Sequence, residues 1–370
     1  MKKFLKMITV LAMFVVLVLF GVLLFLRLPK FGDLPNGERL ARIQKSPNYK
    51  NGVFKNLNET PQLTGEGGFL KIMKDMFQAK NRRPVAVIPS VKTDLLKLDR
   101  EKDILVWFGH SSYFMQIEGK RFLVDPVFCG NASPFSFMIK SFKGTDIYTA
   151  ADIPEIDYLI ITHDHWDHLD YKTISALKPK VKKVITGLGT GAHLEHWGFN
   201  PQIITEGDWY EQVVNEEGFT IDVTPARHFS GRGPKSNQAL WISLVLKTPS
   251  SQIFIGGDGG YDEHFAEIGE KFGGFDLAIL ENGQYNTSWK YIHMMPGEVL
   301  QAAKDLSAKR LFAVHNSKFA LANHSWDEPL KQLTEHNKSY SQPLITPKIG
   351  EIVFLKDTAQ KFSEWWVGLN

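Results

Sequence analysis

The sequence is poor in cysteine, and this limits the chemistry open to it. Its 370 residues contain a single cysteine, Cys129, so no disulfide can form within the chain. A zinc site built from several thiolates is excluded for the same reason. We expect Cys129 to be a packed side chain.

The chain beyond its first 30 residues also lacks an excess of basic charge. The formal net charge is +3, but residues 1–30 carry five basic and no acidic side chains, so residues 31–370 sum to −2. A protein that binds nucleic acid needs a surplus of Lys and Arg. The composition therefore argues against a nuclease or an RNA-processing enzyme, and we expect no nucleic-acid partner.

One long apolar run is present, and it lies near the N-terminus. Met7 to Leu26 is interrupted only by Thr9 and Gly21, and a run of about 20 residues spans a bilayer core of about 30 Å. A cleaved signal peptide is the alternative, but its apolar region is usually about 7–15 residues and is followed by small residues. The run therefore favours an uncleaved transmembrane helix.

The flanking charges predict the orientation of this helix, and the composition after it predicts the domain boundaries. Three lysines precede the run and two basic residues follow it, so the positive-inside rule places the N-terminus in the cytoplasm and the remaining chain outside it. We predict an anchor over 1–30, a leader or cover segment with one helix (69–78) over 31–100, and the main domain over 101–370.

From residue 104 onward, short apolar runs alternate with helical patterns. The predicted helices are Tyr171–Leu177, Asp262–Lys271 and Gly297–Leu306. Strands interleaved with helices are typical of an α/β architecture with helices on the sheets. The predicted strands are Ile104–Phe108, Tyr113–Ile117, Arg121–Val124, Ile156–Ile161, Lys183–Thr186, Phe219–Val223, Leu240–Leu246, Gln252–Ile255, Leu277–Leu280, Leu311–Val314 and Ile352–Leu355.

The densest group of metal-ligand residues follows the predicted strand 156–161. His163 and His165 lie two residues apart, so an extended backbone points both side chains the same way. Asp167 and His168 are adjacent and point apart, so the same segment can serve two metal positions. Imidazole and carboxylate groups are ligands of Zn²⁺. The alternative is a His-rich surface loop, which the alternating spacing after a buried strand disfavours.

Three further apolar runs lead to a residue that can bind a metal. Strand 219–223 leads to His228, strand 252–255 leads through two glycines to Asp258, and strand 311–314 leads to His315. Sites in α/β proteins lie beyond the carboxyl ends of strands. Each of these residues alone is typical of a polar loop, but together they predict a two-metal site.

These residues together resemble the metallo-β-lactamase superfamily. Its signature His-x-His-x-Asp-His is matched by residues 163–168, and its later His, Asp and His ligands are matched by His228, Asp258 and His315. The resemblance implies a four-layer αββα sandwich, with helices outside two packed sheets and the metals at one edge. It also implies that the main domain is a hydrolase.

Within the superfamily, the chain resembles the N-acylphosphatidylethanolamine-hydrolysing phospholipase D branch and its bacterial relatives. Residues 316–318 depart from that branch, because they read Asn-Ser-Lys where Trp-Gly-Thr is expected. The stretches that carry the resemblance are Phe54 to Asn56, Trp107 to Ser112, Asp125 to Phe128, Gly256 to Tyr261, and Trp289 through His293 to Glu298.

The resemblance implies a binuclear centre and roles for its residues. One metal is expected on His163, His165 and His228, with Asp258 shared between the two ions. The other is expected on Asp167, His168 and His315. A hydroxide shared by the metals would be the nucleophile. We expect two Zn²⁺ per chain, with Mn²⁺ or Fe²⁺ as alternatives, since neither the residue types nor their spacing distinguishes these ions.

Other residues are candidates for catalysis or substrate binding. His293 matches a family active-site position and is a candidate general acid. Arg227 could pair with a phosphate, and Trp289 and Tyr291 could line a lipid groove, although a solvated arginine and core packing of the aromatics are as consistent with the sequence. Glu281 is expected to orient a neighbouring ligand.

The most favoured function is a phosphodiesterase of phospholipase D type, acting on N-acylphosphatidylethanolamine-like lipids near a membrane. The alternative on the same scaffold is a lactonase or another carboxylic or phosphate ester hydrolase. A non-catalytic, membrane-anchored interaction protein is a further alternative. It is disfavoured because all seven ligand positions are filled.

Overall fold

A computed structural model describes residues 1–65, 68–216 and 218–369, without the side chain of Phe69. Short 3₁₀ turns occur at Pro29–Phe31 and Thr287–Trp289, among other places. The α-helices in the described residues are α1 (Lys2–Leu26), α2 (Gly37–Ile43), α3 (Gly68–Gln78), α4 (Tyr171–Leu177), α5 (Gly191–His196), α6 (His264–Phe272), α7 (Pro296–Asp305) and α8 (Glu328–Tyr340).

The strands form a small hairpin and two large sheets. The hairpin pairs β1 (Tyr49–Lys50) with β2 (Val53–Phe54). The other strands are β3 (Ile104–Trp107), β4 (Tyr113–Ile117), β5 (Lys120–Val124), β6 (Ile156–Ile161), β7 (Val181–Gly187), β8 (Ile204–Gly207), β9 (Gln212–Glu216), β10 (Phe219–Thr224), β11 (Ser243–Lys247), β12 (Gln252–Ile255), β13 (Leu277–Glu281), β14 (Leu311–Val314), β15 (Leu344–Ile345) and β16 (Ile352–Phe354).

The two large sheets have seven strands each and the same internal pattern. The first has the order β16-β3-β4-β5-β6-β7-β8, and the second has the order β15-β14-β13-β12-β11-β10-β9. The first three pairings from β16 are antiparallel and the next three are parallel. Counting from β9, the second sheet repeats this sequence of pairings.

Burial separates the molecule into four layers. One core cluster joins the facing sides of the two sheets, with Ile160 of β6 and Ile255 of β12 among its members. A second cluster covers the outer side of the first sheet with α4 and α5, and a third packs α6, α7 and α8 on the second sheet. The predicted αββα sandwich is therefore confirmed.

The structure agrees with most of the predicted elements and corrects one of them. The predicted strand 240–246 begins only at Ser243, because the backbone of Leu240 and Ile242 bonds outside the ladder. Leu240 N donates to Leu188 O, and Ile242 N donates to Thr162 O. These buried apolar residues therefore bond to loops of the other sheet. A short apolar run in such a loop has the same hydrophobicity as a buried strand, so the sequence does not distinguish the two.

The N-terminal helix α1 is long and apolar enough to cross a membrane. None of its residues is buried, but a signal sequence passes the same test of length and composition. The segment after it packs on the main domain, since Trp197 Nε1 donates to Pro29 O and Arg232 Nη2 donates to Lys30 O. The end of α1 therefore lies against the fold.

Candidate metal centre

The loop after β6 carries four of the predicted ligands, and it turns sharply. His168 N and Leu169 N both donate to His165 O, and Asp170 caps α4 by accepting from the backbone of Lys172 and Thr173. The strand and the capped helix fix both ends of the loop. The side chains between them are consequently held on a short, rigid segment.

The second sheet supplies the other three predicted ligands from the ends of its strands. His228 follows β10, Asp258 follows β12 and His315 follows β14. The turn before Asp258 requires glycine at Gly257, which has a φ of +62° and no room for a Cβ beside Ile242 O at 2.8 Å. The two halves of the fold thus meet at the ligands.

Three histidine nitrogens form the first ligand group. His163 Nε2 lies 3.0 Å from His165 Nδ1, which lies 3.2 Å from His228 Nε2. Tetrahedral zinc with Zn–N bonds of about 2.0–2.1 Å places its ligands about 3.3 Å apart. The spacing of these three nitrogens therefore fits one metal ion.

The second ligand group contains Asp167, His168 and His315, together with His110. Asp258 lies between the groups. Its Oδ2 is 3.0 Å from His168 Nε2 and 3.9 Å from His163 Nε2, and its Oδ1 is 3.1 Å from His315 Nδ1. The carboxylate consequently faces both groups, as a bridging ligand must.

Hydrogen bonds to the far side of the rings orient these ligands. His168 Nδ1 contacts Asp125 Oδ2 at 2.8 Å, and His228 Nδ1 contacts Ile292 O at 2.9 Å. A partner on one ring nitrogen fixes the tautomer and leaves the other nitrogen free for a metal. Both rings therefore present Nε2 to the site.

Burial sets the protonation states of the histidines. It lowers the pKa of His165 to about 4, and it holds the pKa of His163, His228 and His315 well below the ordinary value, helped by neighbouring imidazoles. These rings are neutral at physiological pH, the form that binds metal. His168 differs, because Asp258 and Asp167 outweigh burial and raise its pKa well above the usual value.

The unpaired atoms of the site test whether metal ions fit it. Among the described residues, His315 Nε2 is buried without a hydrogen-bond partner, and the contacts of His168 Nε2 and Asp258 Oδ1 within the site, at 3.0 and 3.1 Å, lack hydrogen-bond geometry. Buried polar atoms without partners are costly and uncommon. Divalent cations in the two groups would satisfy them, so the residues present fit two metal ions.

The backbone at the site is strained at several non-glycine residues. The φ angles of His110, Asp125 and His315 are +54°, +40° and +65°. Such conformations cost about 1–3 kcal/mol each and persist where the surrounding structure enforces them. The enforcing contacts include the hydrogen bond from His315 N to His110 O.

His293 and Glu281 form a pair beside the ligands. His293 Nδ1 lies 2.9 Å from Glu281 Oε2, while Glu281 Oε1 accepts from Met294 N. The ring of His293 stacks on that of His315, with 5.1 Å between their centroids. His293 is partly accessible and Glu281 is fully buried. The histidine can therefore contact a substrate, whereas the glutamate can only orient the histidine ring.

The predicted substrate residues make their contacts with residues outside the ligand groups. The guanidinium of Arg227 donates to Thr60 Oγ1, Glu59 O and Tyr261 O and lies 4.4 Å from the ring centroid of Tyr291. Trp289 Nε1 donates to Gln284 O. Arg227 therefore holds the leader segment against the domain, and substrate contact by these three residues stays a prediction.

One carboxylate and one hydroxyl group that contact the candidate ligands were not predicted from the sequence. Asp125 binds His168, and Ser111 Oγ lies 2.9 Å from His315 Nδ1. Both belong to stretches that carried the family resemblance, and Asp125 directly follows β5. A strand ending in a carboxylate is the signal that could have identified Asp125.

Comparison with known proteins agrees with this geometry. Residues 120–316 match the β-lactamase superfamily domain. An uncharacterised protein of Mycobacterium tuberculosis is 34% identical over 332 residues, covering 88% of this chain and 89% of the relative. N-acyl-phosphatidylethanolamine-hydrolyzing phospholipase D 1 of Caenorhabditis elegans is 30% identical over 264 residues, covering 66% of this chain and 74% of the relative.

A solved structure shows the same fold. A metallo hydrolase from the archaeon Ignicoccus hospitalis superposes with a TM-score of 0.52 at 18% identity, covering 68% of this chain and 97% of that one. The matched domain, the relatives and the ligand groups agree on one assignment. The chain belongs to the metallo-β-lactamase superfamily and is a metal-dependent hydrolase.

Proposed function

We propose that the protein is a binuclear phosphodiesterase of phospholipase D type that acts on N-acylphosphatidylethanolamine-like lipids. The observation that carries the binuclear assignment is the position of Asp258 between two ligand groups. The phospholipid substrate is supported by the similarity to the C. elegans phospholipase D over 74% of its length. Zinc is the proposed metal, because the donors are imidazoles and carboxylates.

The proposed reaction breaks the P–O bond between phosphatidic acid and the N-acylethanolamine. Bound divalent cations supply an activated water and offset negative charge on the phosphodiester. His293 is placed to deliver a proton to the departing alkoxide oxygen, which leaves as the alcohol. Glu281 keeps the ring of His293 aligned through the 2.9 Å contact to Nδ1, and Asp167 is held by the 2.8 Å contact to His110 Nε2.

The lipid substrate also agrees with the proposed role of α1. We propose that this helix anchors the protein, with the sandwich on the extracytoplasmic side. Its exposed apolar surface and the preceding lysines support this arrangement. The anchor would keep the metal centre close to its substrate.

The test is metal analysis combined with three substrates. The full chain in detergent micelles is assayed with N-acylphosphatidylethanolamine, a simple phosphodiester and a lactone, and bound metal is measured on the same sample. We expect two metals per chain and release of phosphatidic acid. Turnover of the lactone alone would replace the phospholipase assignment by the lactonase alternative, and failure to bind zinc would contradict the binuclear site.

Two variants make the test specific. Asp167→Asn should abolish turnover, because a neutral amide is a poor ligand for a divalent cation. His336→Gln is the matched control, since His336 is exposed on α8. It should retain both metal and activity. Equal activity in the two variants would contradict the assignment of Asp167.

A further inference from the structure

Helix α3 has an apolar stripe that the fold leaves uncovered. Leu70, Met73 and Phe77 follow one another at spacings of three and four residues, so they lie on one face of the helix. Their exposed fractions are 81%, 50% and 93%. Ile72 and Met76 on the adjoining face are only half-buried. A contiguous exposed apolar stripe of this kind marks a surface that meets a partner.

A second uncovered apolar group lies at the tip of loop 131–140. The loop is closed by a bridge between Asn131 and Lys140. At its tip, Phe137 is 71% exposed and Met138 is 45% exposed. Phe135 in the same tip stacks on Phe25, with 4.9 Å between the ring centroids. Phe25 lies in the last turn of α1, so the tip starts where the apolar helix ends.

Hydrogen bonds connect the segment after α3 to the base of loop 131–140. Arg83, five residues after α3, donates through Nη1 to Lys140 O at 2.8 Å and through Nη2 to Ser141 O at 2.9 Å. These carbonyls lie at the base of loop 131–140. The end of α1, loop 131–140 and the segment after α3 are therefore neighbours in the structure.

The charge of α3 favours a lipid surface as the partner. Lys71 and Lys74 are exposed on the helix, and Lys80 is exposed just beyond it. A helix with apolar residues on one face and lysines beside them binds in the plane of a membrane, where the lysines reach the phosphates. The apolar residues alone would suit a protein partner, but the lysines and the adjoining α1 point to lipid.

The segments before and after α3 are attached to loops near the metal centre. Thr64 N donates to Ser288 O at 2.7 Å, five residues before His293. On the other side, Arg82 Nε donates to Ala322 O at 2.8 Å in the loop that follows His315. The helix is therefore flanked by two segments that are attached to these loops.

We propose that α3 and the tip of loop 131–140 form a membrane-docking face, which lies on the bilayer that holds α1. Leu70, Met73 and Phe77 of α3 and Phe137 and Met138 of the loop enter the interfacial layer, and the lysines stay at the headgroups. Three elements, α1, α3 and the tip of loop 131–140, thereby hold the metal centre at the lipid surface. The inference rests on the proposed membrane insertion of α1.

The experiment measures the depth of single labelled positions. The full chain carries Cys129→Ser, a single introduced cysteine and an environment-sensitive fluorophore. It is reconstituted into vesicles of phosphatidylethanolamine and phosphatidylglycerol that contain a nitroxide lipid, labelled on the upper acyl chain or, for residue 14, near the end of the acyl chain. Phe77→Cys and Phe137→Cys report on the docking face. Both side chains are mostly exposed, so these substitutions remove little packing.

Three further positions serve as controls. Phe14→Cys reports on α1, Lys71→Cys on the polar face of α3, and Lys338→Cys on the far end of α8. We expect the labels at residues 14, 77 and 137 to be quenched several-fold more strongly than those at residues 71 and 338. Their emission should also shift to the blue.

Each other outcome overturns the proposal in a distinguishable way. Quenching at residue 14, with residues 77 and 137 no different from residue 338, would contradict the docking face and leave the anchor standing. Quenching at only one of residues 77 and 137 would contradict a joint face. Failure of quenching at residue 14 would contradict the anchor and the docking face together, but not the hydrolase assignment.

Discussion

His168 Nδ1 lies 2.8 Å from Asp125 Oδ2, and the same carboxylate accepts hydrogen bonds from the backbone N and the Oγ1 of Thr162. Asp125 and His168 are both fully buried. The end of β5 thus orients a candidate ligand in the loop after β6. Because the contact determines which nitrogen of His168 faces the metals, it is expected to affect metal affinity more than folding.

Replacement of Asp125 tests this contact. Asp125→Asn keeps the size of the side chain but removes the charge that fixes the tautomer of His168. We expect metal affinity to fall about 10–100-fold, measured by competition with a zinc chelator of known affinity. Asp157→Asn is the matched control, since Asp157 lies in β6 and pairs with Lys182. An unchanged affinity in Asp125→Asn would contradict the proposed role.

Replacement of His293 tests the proposed proton donor. His293→Gln should lower kcat by about 10²–10⁴-fold, the usual contribution of a general acid, while metal content stays unchanged. Glu281→Gln should lower kcat less, because it disturbs only the alignment of the ring, and should leave KM unchanged. Loss of metal in His293→Gln would show that the histidine is a ligand instead.

Removal of metal should destabilise the fold. The buried atoms of His168, His315 and Asp258 that lack a hydrogen bond would gain a partner in a bound ion, and a ligand present at about 100 times its Kd stabilises a protein by about 2.7 kcal/mol. We expect chelation to lower Tm and added zinc to restore it, measured by circular dichroism. Asp258→Asn should respond much less to the chelator, and His336→Gln should respond fully.

Arg232 should matter for stability although it lies outside the ligand groups. It is buried, and its guanidinium donates to Asp164 O, Leu169 O and Lys30 O. Hydrogen bonds to a charged group contribute about 1.5–3 kcal/mol each. Arg232→Met should therefore lower the free energy of unfolding by at least about 2 kcal/mol. Arg42→Gln, which removes a half-exposed ion pair with Glu211, should cost less than about 1 kcal/mol.

The sequence predicts well which side chains come together, because the information is local, while metal binding by them stays a prediction. His163, His165, Asp167 and His168 lie in one motif, and His228, Asp258 and His315 each follow an apolar run. The structure brings six of the seven into two adjoining groups and places Asp258 between them. The ends of the strands in a sandwich meet at one edge. The pattern of apolar runs that end in His or Asp therefore predicts that these side chains lie close together.

Elements without an apolar pattern were not predicted. Helix α8 is strongly polar and contributes only Pro329, Leu330 and Leu333 to the buried interior. Strand β9 is an edge strand with a single buried residue. In both cases the secondary structure depends on tertiary packing, and the sequence has no periodic pattern of apolar residues that would predict it. The role of Arg227 was missed similarly, because its partners in the leader segment are distant in sequence.

The last strand completes the first sheet, with consequences for how the protein is made. β16 pairs with β3 in antiparallel register, from Phe354 opposite Ile104 to Ile352 opposite Val106. About 250 residues separate these partners, so the pairing closes a very long loop late in folding. The sheet that carries the His-rich loop stays open at one edge until β16 has left the ribosome. An open edge invites wrong pairing, so the interval between synthesis of β3 and of β16 is the period of greatest risk for aggregation.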